Sequence, residues 1–125
     1  MAIKLKKIQR KNPQDVADVK WYLTQETVGS VGFHDIAKEI EQRSALSLGD
    51  VQSVLSNMVE VLPMFLKLGQ SVKLEGFGTF RISVTSEGLV AADDLSTRLV
   101  KGVKIIFLPS TELKRNIGDV SFEIV

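Results

Sequence analysis

Residues 76–80 read Gly76-Phe77-Gly78-Thr79-Phe80 and lie between two stretches in which apolar and polar residues alternate. Ser71-Val72-Lys73-Leu74-Glu75 precedes them and Arg81-Ile82-Ser83-Val84 follows. A period of two is that of a half-buried strand, and two glycines within three residues supply a turn. The pattern predicts an antiparallel hairpin. Beyond it, residues 85–102 follow no period, residues 103–108 are strand-like again, and Pro109 breaks that strand. Ser110 is placed to cap a short helix running to about residue 117, which Gly118 closes. Val120, Phe122 and Ile124 then alternate with Ser121 and Glu123 as a last strand.

Upstream of the hairpin the period changes to that of helices. From residue 33 onward, Ile36, Ala37 and Ile40 share one helical face, and this helix ends within residues 43–46. Ser47 and Asp50 have the spacing of a capping box, with serine accepting from first-turn amides. A long helix follows, striped by Val51, Val54, Leu55, Met58, Val61, Leu62, Phe65 and Leu66. Pro63 interrupts its hydrogen-bond ladder, because proline cannot bond back to Val59 and should kink or loosen the helix. Gly69 is the stop. At the start of the chain, Ile3-Lys4-Leu5-Lys6 reads as a strand, and the slip in phase at Lys6-Lys7 predicts a bulge. Asn12-Pro13 is a turn, residues 15–20 read as a polar loop, residues 21–28 as a second strand, and residues 29–32 as a break. The order is β-β-α-α-β-β, an irregular arm, then β-α-β, an α+β class without internal repeats.

A chain of 125 residues is one domain by length and can bury a core without metal or disulfide staples. It has no cysteine, which excludes disulfides, thiolate zinc sites and thiol catalysis. His34 is the sole histidine, and a zinc site needs three or four ligands, so no metal is expected. Next to Asp35 at a helix start, His34 reads as a capping or surface group. Asp93 and Asp94 are adjacent and diverge on either a strand or a helix, a poor acid–base pair. Gly76-Phe77-Gly78 lacks the third glycine of a dinucleotide fingerprint. No enzyme activity, cofactor or small-molecule substrate is therefore expected. No apolar run reaches the ~18 residues of a membrane span. The first ten residues alternate lysine with Ile and Leu and lack the apolar stretch of a signal peptide, so the expected location is the cytoplasm, with no membrane partner. Trp21-Tyr22 has the chemistry to stack on bases, but burial against the core is the expected use.

The helix pair, the Gly76-Phe77-Gly78-Thr79-Phe80 motif, the arm-length segment and Phe107-Leu108-Pro109 before a short helix together resemble the HU and integration host factor family of bacterial histone-like proteins. The resemblance covers residues 33–117. The flanks, residues 1–32 and 118–125, lie outside ordinary HU and are similar to those of an HU-related group found in Bacteroidetes, with a Lys-rich first strand, a Trp-Tyr segment and a final strand. The fold implied is a single HU-like domain over residues 1–125: a helix pair, a β-hairpin with its arm at residues 85–102, a short C-terminal helix, and added strands at both termini. The resemblance also implies an intertwined homodimer. Phe77, Phe80 and Phe107 match the aromatic positions of the family's dimer core, to which the long helix would add Met58, Leu62 and Phe65. The same side chains would also suit the core of a monomer.

Finally, the resemblance implies binding of double-stranded DNA by arms that reach into the minor groove, with arginines on phosphates and a wedging proline at each tip. Here residues 85–102 contain no proline, Asp93 and Asp94 would repel phosphates, and Leu108 replaces the family's basic residue. Sharp bending is therefore not expected. The formal net charge is only +1, but it is unevenly spread: residues 1–20 hold six basic against two acidic groups, and residues 21–100 six against ten. The candidate phosphate-binding residues are Lys4, Lys6, Lys7, Arg10 and Lys11, with Arg81, Arg98, Lys101, Lys104, Lys114 and Arg115. Lysines on an edge strand also discourage aggregation. Two readings stand side by side. One is a sequence-nonspecific, salt-sensitive nucleoid protein. The other is a protein–protein interaction or self-assembly module that kept the fold and lost DNA binding, docking by strand addition.

Overall fold

The computed structural model describes residues 2–125. Its elements are β1 (Ala2–Asn12), β2 (Asp15–Gln25), α1 (Phe33–Arg43), α2 (Leu48–Lys67), β3 (Val72–Leu74), β4 (Gly78–Ser86), β5 (Val100–Pro109), α3 (Thr111–Asn116) and β6 (Ser121–Ile124). Single turns of 3-10 helix at Ala92–Asp94 and Thr97–Leu99 lie between β4 and β5. The chain forms two compact units. One comprises the chain up to Gly32 together with Ile117–Val125, the other Phe33–Asn116.

The second unit holds the helix pair and a three-stranded antiparallel sheet in the order β3-β4-β5. Helix α2 begins where Ser47 Oγ accepts from the Asp50 amide at 3.1 Å and Asp50 accepts from the Ser47 amide at 3.3 Å. This reciprocal box satisfies two otherwise orphaned donors. The helix runs on through Pro63 to Lys67 without a break. It ends in a Schellman arrangement: Gln70 N–H donates to Phe65 C=O and Gly69 N–H to Leu66 C=O, with Gly69 at φ +81°.

Each glycine of the motif has a separate task. Gly76 sits at φ +76°, a left-handed conformation that costs other residues roughly 1–2 kcal/mol. A Cβ on Gly78 would lie 2.6 Å from the Leu108 carbonyl oxygen and 2.6 Å from the Phe107 ring, so glycine lets β5 close onto β4. The Ser110 amide donates to Phe77 C=O at 3.1 Å, and Ser110 Oγ caps α3 by accepting from the Leu113 amide at 3.0 Å.

The first unit is one sheet in the order β2-β1-β6. β1 and β2 form a long antiparallel ribbon from Leu5↔Gln25 to Asn12↔Asp15. β6 lies parallel to the start of β1, from Ala2↔Ser121 to Leu5↔Ile124.

Several expectations need correction. Residues 15–20 are not a loop but the first half of β2, tied to β1 at Asp15, Val19 and Lys20 on either side of the register shift; pairing overrides a polar composition. The second strand ends at Gln25, not at residue 28. No bulge occurs at Lys6-Lys7; the register shifts at Lys11/Asn12, beside the turn. The slip in phase instead reflects an apolar residue on each face, Leu5 on one and Ile8 on the other. Strands β4 and β5 reach further into residues 85–102 than alternation indicated, and Pro109 ends β5 from within.

Candidate nucleic-acid interface

Cross-strand partners in a sheet share a face, so the register sorts the N-terminal cations. Ala2, Lys4, Lys6, Ile8 and Arg10 of β1 face the same way as Lys20, Tyr22 and Thr24 of β2 and Glu123 of β6. Ile3, Leu5, Lys7, Gln9 and Lys11 share the other face with Val19, Trp21, Leu23, Phe122 and Ile124. One face is therefore basic and the other mainly apolar. Lys4, Lys6, Lys7, Arg10 and Lys11 are all exposed. Arg10 stands directly opposite Lys20, and its guanidinium lies 5.8 Å from the centre of the Tyr22 ring, a cation–π contact. Lys4 stands opposite Glu123, which offsets it. At the turn end the Asn12 amide donates to Asp18 Oδ2 at 3.3 Å. A polar stretch that reads as a loop assigns Lys20 to no surface; the ladder places it on the basic face.

Trp21 and Tyr22 are not buried, contrary to expectation: Trp21 is 67% exposed and Tyr22 47%. Their unit is a sheet without a helix of its own to lie over either ring.

In the second unit, Arg81 and Lys104 share the face of the β4–β5 hairpin opposite to Phe80, Ile82 and Phe107. Arg98 lies in a 3-10 turn, Lys101 at the start of β5, and Lys114 and Arg115 in the last turn of α3; all are exposed. Asp93 and Asp94 occupy the other 3-10 turn. The opposite face of the hairpin is apolar and exposed at Val84, Val103 and Ile105.

Phe77, Phe80 and Phe107 come together as a triangle with ring centres 4.7–6.4 Å apart. Each such pair contributes about 0.5–1.5 kcal/mol beyond area burial. Met58, Phe65, Phe77 and Phe107 nonetheless remain 37–47% exposed, and Leu62 and Phe80 are half-buried. Among the described residues the buried apolar side chains are Ala37, Val51 and Leu66.

His34 Nδ1 lies 3.1 Å from the Gln52 side-chain amide, a link from α1 to α2. Among the described residues no three His, Cys, Asp or Glu side chains are grouped to hold a metal, and no helix is long and apolar enough to cross a membrane.

The family model described as "HU domain fused to wHTH, Ig, or Glycine-rich motif" matches residues 1–124. No curated protein matches by sequence. Solved structures similar in fold include the following two. One is that of a "Putative bacterial DNA binding protein from Bacteroides vulgatus ATCC 8482", with TM-score 0.68 and 14% identity over 99% of this chain and 48% of that one. The chain thus spans about half the length of that protein. The other is an Anabaena HU–DNA cocrystal structure, with TM-score 0.55 and 13% identity over 71% of this chain and 99% of that one.

Proposed function

We propose, from the premise that this chain belongs to the HU-HIG family, that it is a sequence-nonspecific, nucleoid-associated protein that binds double-stranded DNA. The observation that carries this reading is the family match over nearly the whole chain, together with a fold similar to that of HU crystallised on DNA. The function is one of binding, not catalysis, and its place is the cytoplasm, where the nucleoid is. The whole chain, residues 1–125, acts as one HU-like domain to which residues 1–32 and 118–125 are additions.

The working form is a homodimer. Three buried apolar side chains make a thin core for this length, while Met58, Leu62, Phe65, Phe77, Phe80 and Phe107 stay partly open on the helix–hairpin unit. A second copy laid on these side chains would complete the core, as obligate interfaces do.

Affinity comes from lysine and arginine on phosphates, and so falls steeply with salt. Bending is slight, since residues 85–102 offer no proline wedge and carry Asp93 and Asp94. The test is fluorescence anisotropy of a ~30-base-pair duplex at low and near-physiological salt. Binding that weakens with salt is expected; no binding at low salt would sink the reading. In that event the exposed apolar face of the β4–β5 hairpin favours the second reading, a module for protein docking or self-assembly.

A further inference from the structure

We infer that duplex DNA is held mainly on the basic face of the β1–β2 ribbon, by Lys6, Arg10 and Lys20, and not by the β4–β5 arm. The inference rests on the DNA-binding reading and names its surface.

The register supplies the first argument. Arg10 and Lys20 are direct cross-strand partners, and like charges placed opposite each other destabilise a sheet. Lys6 projects from the same face two positions beyond Ile8. Of the acids on this face, Glu123 lies opposite Lys4, and Asp18, which accepts a hydrogen bond from the neutral Asn12 amide, keeps its negative charge. Lys6, Arg10 and Lys20 outnumber it three to one, a positive charge that the sheet itself balances only in part. A polyanion would relieve it.

Shape supplies the second. Arg10, Lys20, Tyr22, Asn12 and Asp18 border a cleft of about 420 Å³ at the turn end of the ribbon, with Lys11 at its rim beside the register shift. The Arg10 guanidinium lies over the Tyr22 ring at 5.8 Å from its centre, and a guanidinium offers planar N–H donors that match phosphate oxygens. Residues two apart on a strand are about 6.8 Å apart, and paired strands about 4.8 Å. Lys6 and Arg10 then span roughly 14 Å, with Lys20 beside Arg10. A duplex presents one charge per ~1.7 Å of axis, so a stripe of this length meets several phosphates.

The arm supplies the contrast. Arg81 and Lys104 share a face with Ile106 and Leu108, and the tip carries Asp93 and Asp94.

The test compares two charge-matched triple variants of the full chain with the unaltered protein, using a fluorescent ~30-base-pair duplex across a salt series. One is Lys6→Thr, Arg10→Thr and Lys20→Thr; the other is Arg81→Thr, Lys101→Thr and Lys104→Thr. Threonine favours strands, so the sheets persist, and circular dichroism checks this. The first variant is expected to bind roughly tenfold or more weaker at low salt, with a log–log salt slope smaller by about 3; the second should change little. Equal losses in both would overturn the inference, since only total charge would matter. A larger loss in the second variant would overturn it in favour of the arm. If the unaltered protein fails to bind, the DNA reading itself falls and the inference with it.

Discussion

The chain contains two long β-hairpins that handle their faces in opposite ways. In the β4–β5 hairpin the base is tied down: Phe80 and Phe107 pack with Phe77, and Gly78 admits the partner strand, while the far end carries Asp93 and Asp94. The β1–β2 ribbon lacks an aromatic cluster of that kind, yet it carries the chain's densest positive charge, with Arg10 set against Lys20. One hairpin is organised around packing and the other around charge. The two hairpins thus divide the tasks of a β-ribbon: one gathers aromatic side chains at its base, the other aligns cations along one face.

That contrast can be broken or sharpened by experiment. The largest effect should come from Phe107→Ala, which removes one corner of the aromatic triangle. Large-to-small aromatic changes cost about 3–5 kcal/mol in a closed core, read as a lower midpoint in chemical denaturation. A loss under about 1 kcal/mol would mean that the triangle packs against nothing further, and the dimer reading would weaken. Next is Gly78→Ala. Its Cβ would meet backbone and ring at 2.6 Å, so the hairpin base must spread, with an expected cost of about 1–3 kcal/mol by the same measurement. Unchanged stability would show that β4 and β5 need not approach so closely. Third, Asp93→Lys with Asp94→Lys returns positive charge to the arm tip. Duplex affinity at low salt should rise by up to about tenfold and the salt slope by up to ~2, in titrations at several salt concentrations. No gain would mean that the arm does not approach DNA at all, which sharpens the contrast. Smallest is Glu123→Gln, which removes the negative charge opposite Lys4 and should tighten duplex binding by less than about twofold. A large gain would make Lys4 a principal contact.

The order of elements was legible because its signals are local: alternation around the Gly76–Gly78 turn, the apolar stripe of α2, and the Ser47/Asp50 cap. What misled was the ribbon. β2 opens on Asp15, Asp18 and Lys20, a composition that resembles a loop, because neither face of that half is covered within its unit and so no alternation was imposed on it. The candidate cations were recognisable as residues but not as a surface. Sequence shows that Lys6 and Lys7 are neighbours; the ladder alone shows that they face opposite ways, and that Lys20 belongs with Lys6 and Arg10. The aromatic triangle was placed by motif and is met in the structure, whereas the exposure of Trp21 and Tyr22 depended on what covers the sheet, a fact no local pattern carries.

The parallel pairing of β6 with the start of β1 has a consequence in time. The two strands lie at opposite ends of the chain, from Ala2↔Ser121 to Leu5↔Ile124. As a ribosome extends the chain, β1 and β2 emerge early but remain a two-stranded ribbon, marginal in water by itself. The third strand arrives only after the helix pair and second hairpin have left the tunnel. The ribbon is thus made well before the strand that completes its sheet, and its lysines keep the waiting edge soluble in the interval.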